Sequence, residues 1–211
     1  MLSLVLLEAT KKCNTRRLLD IECENLYNIG VGAGTSNSGN YHLLRFNTTF
    51  LNEKYTEKGM MEESFKFFLE FIFNPNVIDG KFESQTFNNA KNILKEDIES
   101  YADNPGRFAF SRIYEIMCPN SVIKYRSTGY IEDLEKVTEE NLYEYYKELL
   151  TNNEIDIFII GNIDVKQMEK IIADNFNIDS IKHEQLAHIV KQDDFRKEPR
   201  VIKENKNINQ S

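Results

Sequence analysis

An acidic pair, Glu96 and Asp97, stands in the middle of FNNAKNILKEDIESYADNP (87–105), a segment whose apolar residues have helical spacing. Measured from Ala90 at about 100° per residue, Phe87, Leu94, Ile98 and Tyr101 fall within roughly 20–80°, Ile93 at about 300° and Asp97 at about 340°. The spacing therefore predicts Asp97 on the apolar face, pointing inward, and Glu96 on the flank, within reach of water. A carboxylate on a buried stripe is costly unless something pairs with it, so the position suggests a metal ligand, a catalytic group or a buried ion pair. The competing structural reading is an aspartate at the stripe's margin, hydrogen-bonded to a neighbouring Arg, Lys or amide.

Other candidates for chemistry are weaker. GVGAGTSNSG carries Gly30, Gly32, Gly34 and Gly39. A phosphate loop must follow a strand and open a helix, whereas here a helix precedes and a strand follows. Glycines in such a strand serve close backbone approach or a bulge instead. HEQLAH holds His183 and His188 at i, i+5, about 140° apart on a helix, where one zinc ion needs two ligands about one turn apart. They read as surface residues. His42, alone in a strand, reads as packed or exposed, and neither a GxSxG elbow, a Cys-His arrangement nor a P-loop is present.

The elements that must position these residues follow from pattern and punctuation. Asn14 or Thr15 can cap a helix with Leu19, Cys23, Leu26 and Tyr27 on one face and Gly30 as its C-cap. SNSGN is a turn between strands near 31–36 and 41–50, which predicts a hairpin. MMEESFKFFLEFIF (60–73) predicts an apolar helix stopped by Asn74-Pro75. The helix bearing Asp97 is expected over 80–103, ended by Asn104-Pro105-Gly106, with another helix in RFAFSRIYEIM. Thr138 caps TEENLYEYYKELL, EIDIFIIGNID (154–164) reads as an interior strand, and Asp164 with Gln167 forms a capping box for VKQMEKIIADNF. Long helices among hairpin strands, without regular βαβ alternation, indicate α+β. A single domain over 1–190 followed by a charged interdomain linker over 191–211 is the expected organisation.

Composition narrows the functional classes. With 26 Lys and Arg against 34 Asp and Glu, the net charge is −8 and no basic stripe offsets it, which argues against a nucleic-acid partner. Cys13, Cys23 and Cys118 have neither CxxC spacing nor an even count, so a reduced, cytoplasmic setting is expected. No stretch approaches the ~20 apolar residues of a membrane span, and MLSLVLLEATKK lacks the features of a secretory signal. Because that apolar run begins at Met1 without an N-cap, the chain is expected to open inside an element of a longer parent, without its first strands.

LLEATKKCNT, the helix ending FIFNP, NAKNILKEDIESYADNP, STGYIEDLEKVTEENLYEYYKELL and the FIIGNID strand-to-helix step together resemble, in order, the M16 (insulinase or pitrilysin) metallopeptidase family. The resemblance implies an antiparallel sheet with helices packed on one face, the metallohydrolase domain shared with mitochondrial processing peptidase. Active members read HxxEH before a GTKK-like turn, with a glutamate ligand downstream. Laying Thr10-Lys11-Lys12 on that turn puts the second zinc-binding histidine at Leu4 and the catalytic base at Ser3, the first histidine falling before Met1. Asp97 takes the place of the glutamate ligand, at a longer separation than is usual. Leu4 cannot ligate zinc and Ser3 cannot act as a carboxylate base, so no enzyme activity by the family mechanism and no cofactor are expected.

This departure resembles the non-catalytic M16-like subgroup of Gram-positive bacteria, whose members are encoded beside an active M16 peptidase; some carry a label linking them to modification of elongation factor P. The expected partners are an active M16 homologue or a missing C-terminal half, and an unstructured peptide. In active relatives the strand after the second helix aligns substrate by β-addition; its counterpart here is Val31, Gly32, Ala33, Gly34 and Thr35. Two alternatives stand beside this reading. The parent could be a working zinc metalloendopeptidase with ligands supplied from elsewhere, or a structural interaction domain that binds no peptide.

Overall fold

The computed structural model describes residues 1–38, 41–176, 198–199 and 201–204. A short helix α1 (Leu2–Glu8) buries Leu2, Ser3, Val5 and Leu6. The Thr10-Lys11-Lys12 turn behind it is fixed by backbone chemistry. Thr10 N–H donates to Cys13 O at 2.9 Å and Lys11 N–H to Asn74 O at 2.8 Å, while Cys13 N–H returns to Thr10 Oγ1 at 3.0 Å. Two separate motifs, the TKK turn and the Asn74-Pro75 stop, thus meet, with Thr10 bridged to Pro75.

Thr15 caps α2 (Arg16–Asn25) as expected, accepting from Leu18 N–H. Gly30 is not its C-cap. Leu26 ends the helix, Tyr27 and Asn28 take the left-handed conformation, and Gly30 instead starts a strand. Asn tolerates that region better than most side chains, so the turn closes before the glycine is reached. The predicted hairpin forms from β1 (Gly30–Ser38) and β2 (Tyr41–Thr49), antiparallel from Gly30↔Thr49 to Ser38↔Tyr41. Its alternation turns Val31, Leu44 and Phe46 toward the core clusters.

Helix α3 (Met60–Phe73) is apolar on two faces because it is covered on two. Phe67 and Phe71 pack against Leu19 and Leu26 of the α2 region, while Met61, Phe65 and Leu69 pack against Met168 and Ile171 of α8 (Val165–Asn175). A tight hairpin, β3 (Val77–Ile78) and β4 (Lys81–Phe82), then turns through Asp79 and Gly80, both at positive φ. The Asp-Gly pair between Ile78 and Lys81 is a type I′ hairpin signal. It pushes the start of the next helix from 80 to Ser84: α4 runs Ser84–Ser100 and is followed by one tight turn, Tyr101–Asp103.

Helix α5 (Pro105–Met117) follows its predicted break. A short α6 (Ile131–Leu134) leads to α7 (Glu139–Asn152), where Thr138 and Asn141 form a reciprocal capping box. Phe82, fully buried, sits at the centre of a cluster with Leu2, Val5, Leu6, Phe87, Ala90, Leu142 and Tyr146. Tyr146 donates to Ile72 O at 2.8 Å, tying α7 to α3, and its burial pushes the phenol well above the ordinary tyrosine range.

Two further expectations fail. Asp164 caps α8 through Gln167 N–H, but the Gln167 side chain reaches Glu53 rather than closing a capping box. More consequentially, 154–164 forms no strand: the described residues contain two two-stranded sheets, β1-β2 and β3-β4, and no ladder includes this segment. Nor is it interior, with Phe158 86% and Ile160 98% exposed. A strand exists only where a neighbour takes its backbone groups, and among the described residues none lies beside this one. Among the described residues the architecture is α+β, with helices α1, α4 and α7 packed around the hairpins.

Candidate functional site

The α1–α4 face is where Ser3, Leu4 and Asp97 would have to converge. Helix α4 owes its position to Glu83, whose carboxylate accepts from Gln85 N–H and Thr86 N–H, each at 2.8 Å, and from the Thr86 hydroxyl at 2.8 Å. Burial works to raise the Glu83 carboxyl, but these donors outweigh it and hold it below the usual glutamate range. The buried stripe of α4 is Phe87, Ala90, Leu94 and Ile98, continued by Tyr101.

Leu4 packs with Met1 against Leu94 and Ile98, beside Leu134 of α6, and Ser3 is buried in the same helix. The structure therefore does bring the α1 position and the α4 stripe together. Asp97, however, does not point inward. Its side chain is 41% exposed and both carboxylate oxygens accept from Arg107, Oδ1 from Nη1 at 2.9 Å and Oδ2 from Nη2 at 3.3 Å. The reason lies in the width of the stripe. Ile93, on the same flank, is 50% exposed, so the apolar face ends short of the angle at which Asp97 leaves the helix. The arrangement is the marginal, paired aspartate that the sequence also allowed.

Arg107 is itself held. Its guanidinium lies 4.8 Å from the centroid of the buried Tyr101 ring, and Arg126 stacks on the same ring at 4.5 Å and on Tyr130 at 5.2 Å. The Tyr101 hydroxyl donates to Arg107 O at 3.0 Å, and the Asp97 hydrogen bonds raise the Arg107 pKa further. This stack knits the end of α4 to α5. Sequence reasoning missed it; an acid ten residues before an arginine, across a tight Asn-Pro-Gly break, was the available signal. No group of three or more His, Cys, Asp or Glu side chains able to hold a metal ion occurs among the described residues.

The second candidate, Val31, Gly32, Ala33, Gly34 and Thr35, lies within β1, paired to Thr48, Asn47, Phe46, Arg45 and Leu44 in that order. No strand occupies the other edge of β1 among the described residues. A side chain at Gly32 would meet Asn47 Oδ1 at 2.9 Å, whereas at Gly34 it would meet nothing within 4 Å. Ser36 Oγ and Thr48 Oγ1 are buried without a hydrogen-bond partner among the described residues. His42 is exposed and pairs with Asn37 Oδ1 at 2.8 Å; His183 and His188, like most of the charged tail, lie outside the described residues. A cleft of about 450 Å³ at the start of α2 and α4 was not anticipated. Glu8 on its wall is already bound by Asn89 at 2.8 Å, and Glu83 is spent on its cap.

Residues 136–211 match the family described as "Peptidase M16 inactive domain". The chain is 28% identical over 174 residues to "Probable inactive metalloprotease YmfF" of Bacillus subtilis (strain 168), covering 82% of this chain and 41% of that protein. It is 22% identical over 130 residues to "Uncharacterized zinc protease YmfH" of the same organism, covering 61% and 29% respectively. A conserved protein from Enterococcus faecalis V583, known from its crystal structure, superposes with a TM-score of 0.81 at 24% identity, over 89% of this chain and 44% of that one. The chain thus spans less than half the length of each.

Proposed function

We propose that this chain, a member of the M16 peptidase family, is part of a non-catalytic M16-type protein of the cytoplasm that acts with an active M16 homologue and presents a peptide-binding edge. The observation that carries the reading is the state of the α1–α4 face. At the position the family resemblance assigns to a zinc-binding imidazole, Leu4 contributes only carbon to an apolar cluster. At the position assigned to the carboxylate ligand, both oxygens of Asp97 are taken by Arg107. Zinc there would have to displace a guanidinium and would gain one ligand out of the three it needs. Ser3, standing where the base belongs, has a hydroxyl whose ordinary protonation state cannot take a proton from water. These residues do not fit a zinc ion, and no reaction step is assigned to one.

Peptide binding is supported by β1, whose outer edge carries no strand among the described residues. Main-chain hydrogen bonds give such an edge affinity without side-chain chemistry. Titrating a labelled unstructured peptide in the presence of zinc tests both parts of the proposal. Saturable binding without cleavage is expected, weakened by Thr35→Pro, which removes a ladder donor. Zinc-dependent cleavage would overturn the non-catalytic reading in favour of a working metalloendopeptidase. Absence of any saturable binding would leave an interaction domain that takes no peptide.

A further inference from the structure

The cleft of about 450 Å³ at the start of α2 and α4 has polar walls whose proton roles are set by their partners. Glu83 accepts from the Thr86 hydroxyl at 2.8 Å, so that hydroxyl has spent its proton and its oxygen is left to accept. Asn76 Nδ2 donates to it at 3.1 Å, while Asn76 O accepts from Glu83 N–H at 3.0 Å. The amide is thereby oriented. Asn76 is only 9% exposed, yet its Oδ1 takes no hydrogen bond from any described residue and is not sealed in protein; the residue lines the cleft. A second relay ends the same way. The Glu8 carboxylate only accepts, so Asn89 turns Nδ2 to it at 2.8 Å and Oδ1 to Gln85 Nε2 at 2.7 Å. Gln85 Oε1 and Glu8 Oε2 are left without a donor among the described residues.

Three unspent acceptors, one of them anionic, thus belong to one cavity. Arg16, also on its wall, is matched by Asp20, Nε to Oδ1 at 3.1 Å, and Ala9 and Ile78 add carbon surface. An anion would meet the Glu8 and Glu83 carboxylates and no unmatched cation. A metal ion would find both Glu83 oxygens engaged by donors and Glu8 as its one open carboxylate, short of the oxygen set that hard cations gather. A cation that brings its own N–H donors satisfies all three acceptors, and the cavity has the size of a small-molecule site rather than of a lone ion. We propose that the cleft binds an alkylguanidinium or alkylammonium group, with its charge against Glu8, its N–H donors on Asn76 Oδ1 and Gln85 Oε1, and its carbon on Ala9 and Ile78. The cavity recognises the group rather than its carrier, which is a free small molecule or an arginine or lysine side chain. Helix α4 rises by roughly 20 Å between Ser84 and Asp97, so the site is separate from the Asp97 end of that helix, and it stands independently of the peptide-binding reading of β1.

Calorimetric titration of the 211-residue chain with agmatine, an alkylguanidinium, is the direct experiment. One saturable site per chain is expected, with no competition from butyrate or inorganic phosphate. Glu8→Gln, which keeps an acceptor for Asn89 but removes the charge, should weaken binding about tenfold or more without moving the thermal midpoint of unfolding. Ile78→Lys, at an exposed position on the rim, should abolish it by placing a tethered ammonium in the cleft. A second arm uses a blocked tripeptide with arginine at its centre. Binding tighter than that of agmatine, and lost in the same two variants, would identify a side chain as the carrier; equal or weaker binding would identify a free small cation. No saturable uptake of either probe at millimolar concentration would overturn the proposal. So would agmatine binding that both variants leave unchanged, which would put the cation elsewhere on the acidic surface, or a calcium or magnesium ion that holds the cleft against agmatine.

Discussion

Phe82 and Phe158 are the same side chain in opposite circumstances. Phe82 ends a two-residue strand and is fully buried, edge-on to Tyr143 at 5.5 Å and Tyr146 at 6.0 Å. Phe158 lies in the most strand-like sequence of the chain and stands in solvent. The difference teaches that burial here follows from what lies beside a segment, not from its own propensity. The minimal β3-β4 hairpin is covered by α1, α4 and α7, whereas EIDIFII has strand composition and no covering element among the described residues. The α1–α4 face belongs with the first region: it is closed, apolar at Leu4, and Asp97 is turned outward to Arg107.

Truncation should separate the regions most sharply. Phe82→Ala is expected to cost about 3–5 kcal/mol in urea or thermal unfolding, while Phe158→Ala should stay within about 0.5 kcal/mol. Similar losses at the two positions would mean that 154–160 is packed in solution. A smaller effect is expected at the N-terminus of α4. The Glu83 carboxyl is held below its ordinary value in the folded chain, so its stabilisation is complete above the unfolded glutamate range, near about 4.3, and is lost as pH falls through the lower folded value. Wild type should therefore lose stability in acid more steeply than Glu83→Gln, which lacks the titration; parallel curves of unfolding midpoint against pH would remove the cap from the account. The smallest effect belongs to Asp97→Ala. Its pair with Arg107 is 41% exposed on both sides, and such pairs contribute about 0–1 kcal/mol. A loss several times larger would mark Asp97 as the buried acid that its helical angle suggested.

Most helices were legible because their signals are local. Thr15, Thr138 and Asp164 cap where a hydroxyl or carboxylate can reach an N–H two or three residues on, and Asn74-Pro75 and Asn104-Pro105 stop helices by sterics. What escaped depends on neighbours distant in sequence. Asp97 reads inward on a helical wheel, since the wheel knows nothing of Arg107 or of Ile93 lying uncovered. The 154–164 strand was expected from composition, but a ladder is a property of two segments, and one segment's sequence does not supply the second. Val77-Ile78-Asp79-Gly80-Lys81-Phe82 could have been read as a hairpin from Asp-Gly, but its strands are only two residues each.

A non-catalytic role requires that the α1–α4 face be unable to hold zinc. Calorimetric zinc titration of the 211-residue chain, with metal content measured after gel filtration, addresses it directly. No stoichiometric uptake is predicted, and Asp97→Ala should behave like wild type. One zinc ion retained per chain, and lost in Asp97→Ala, would contradict it.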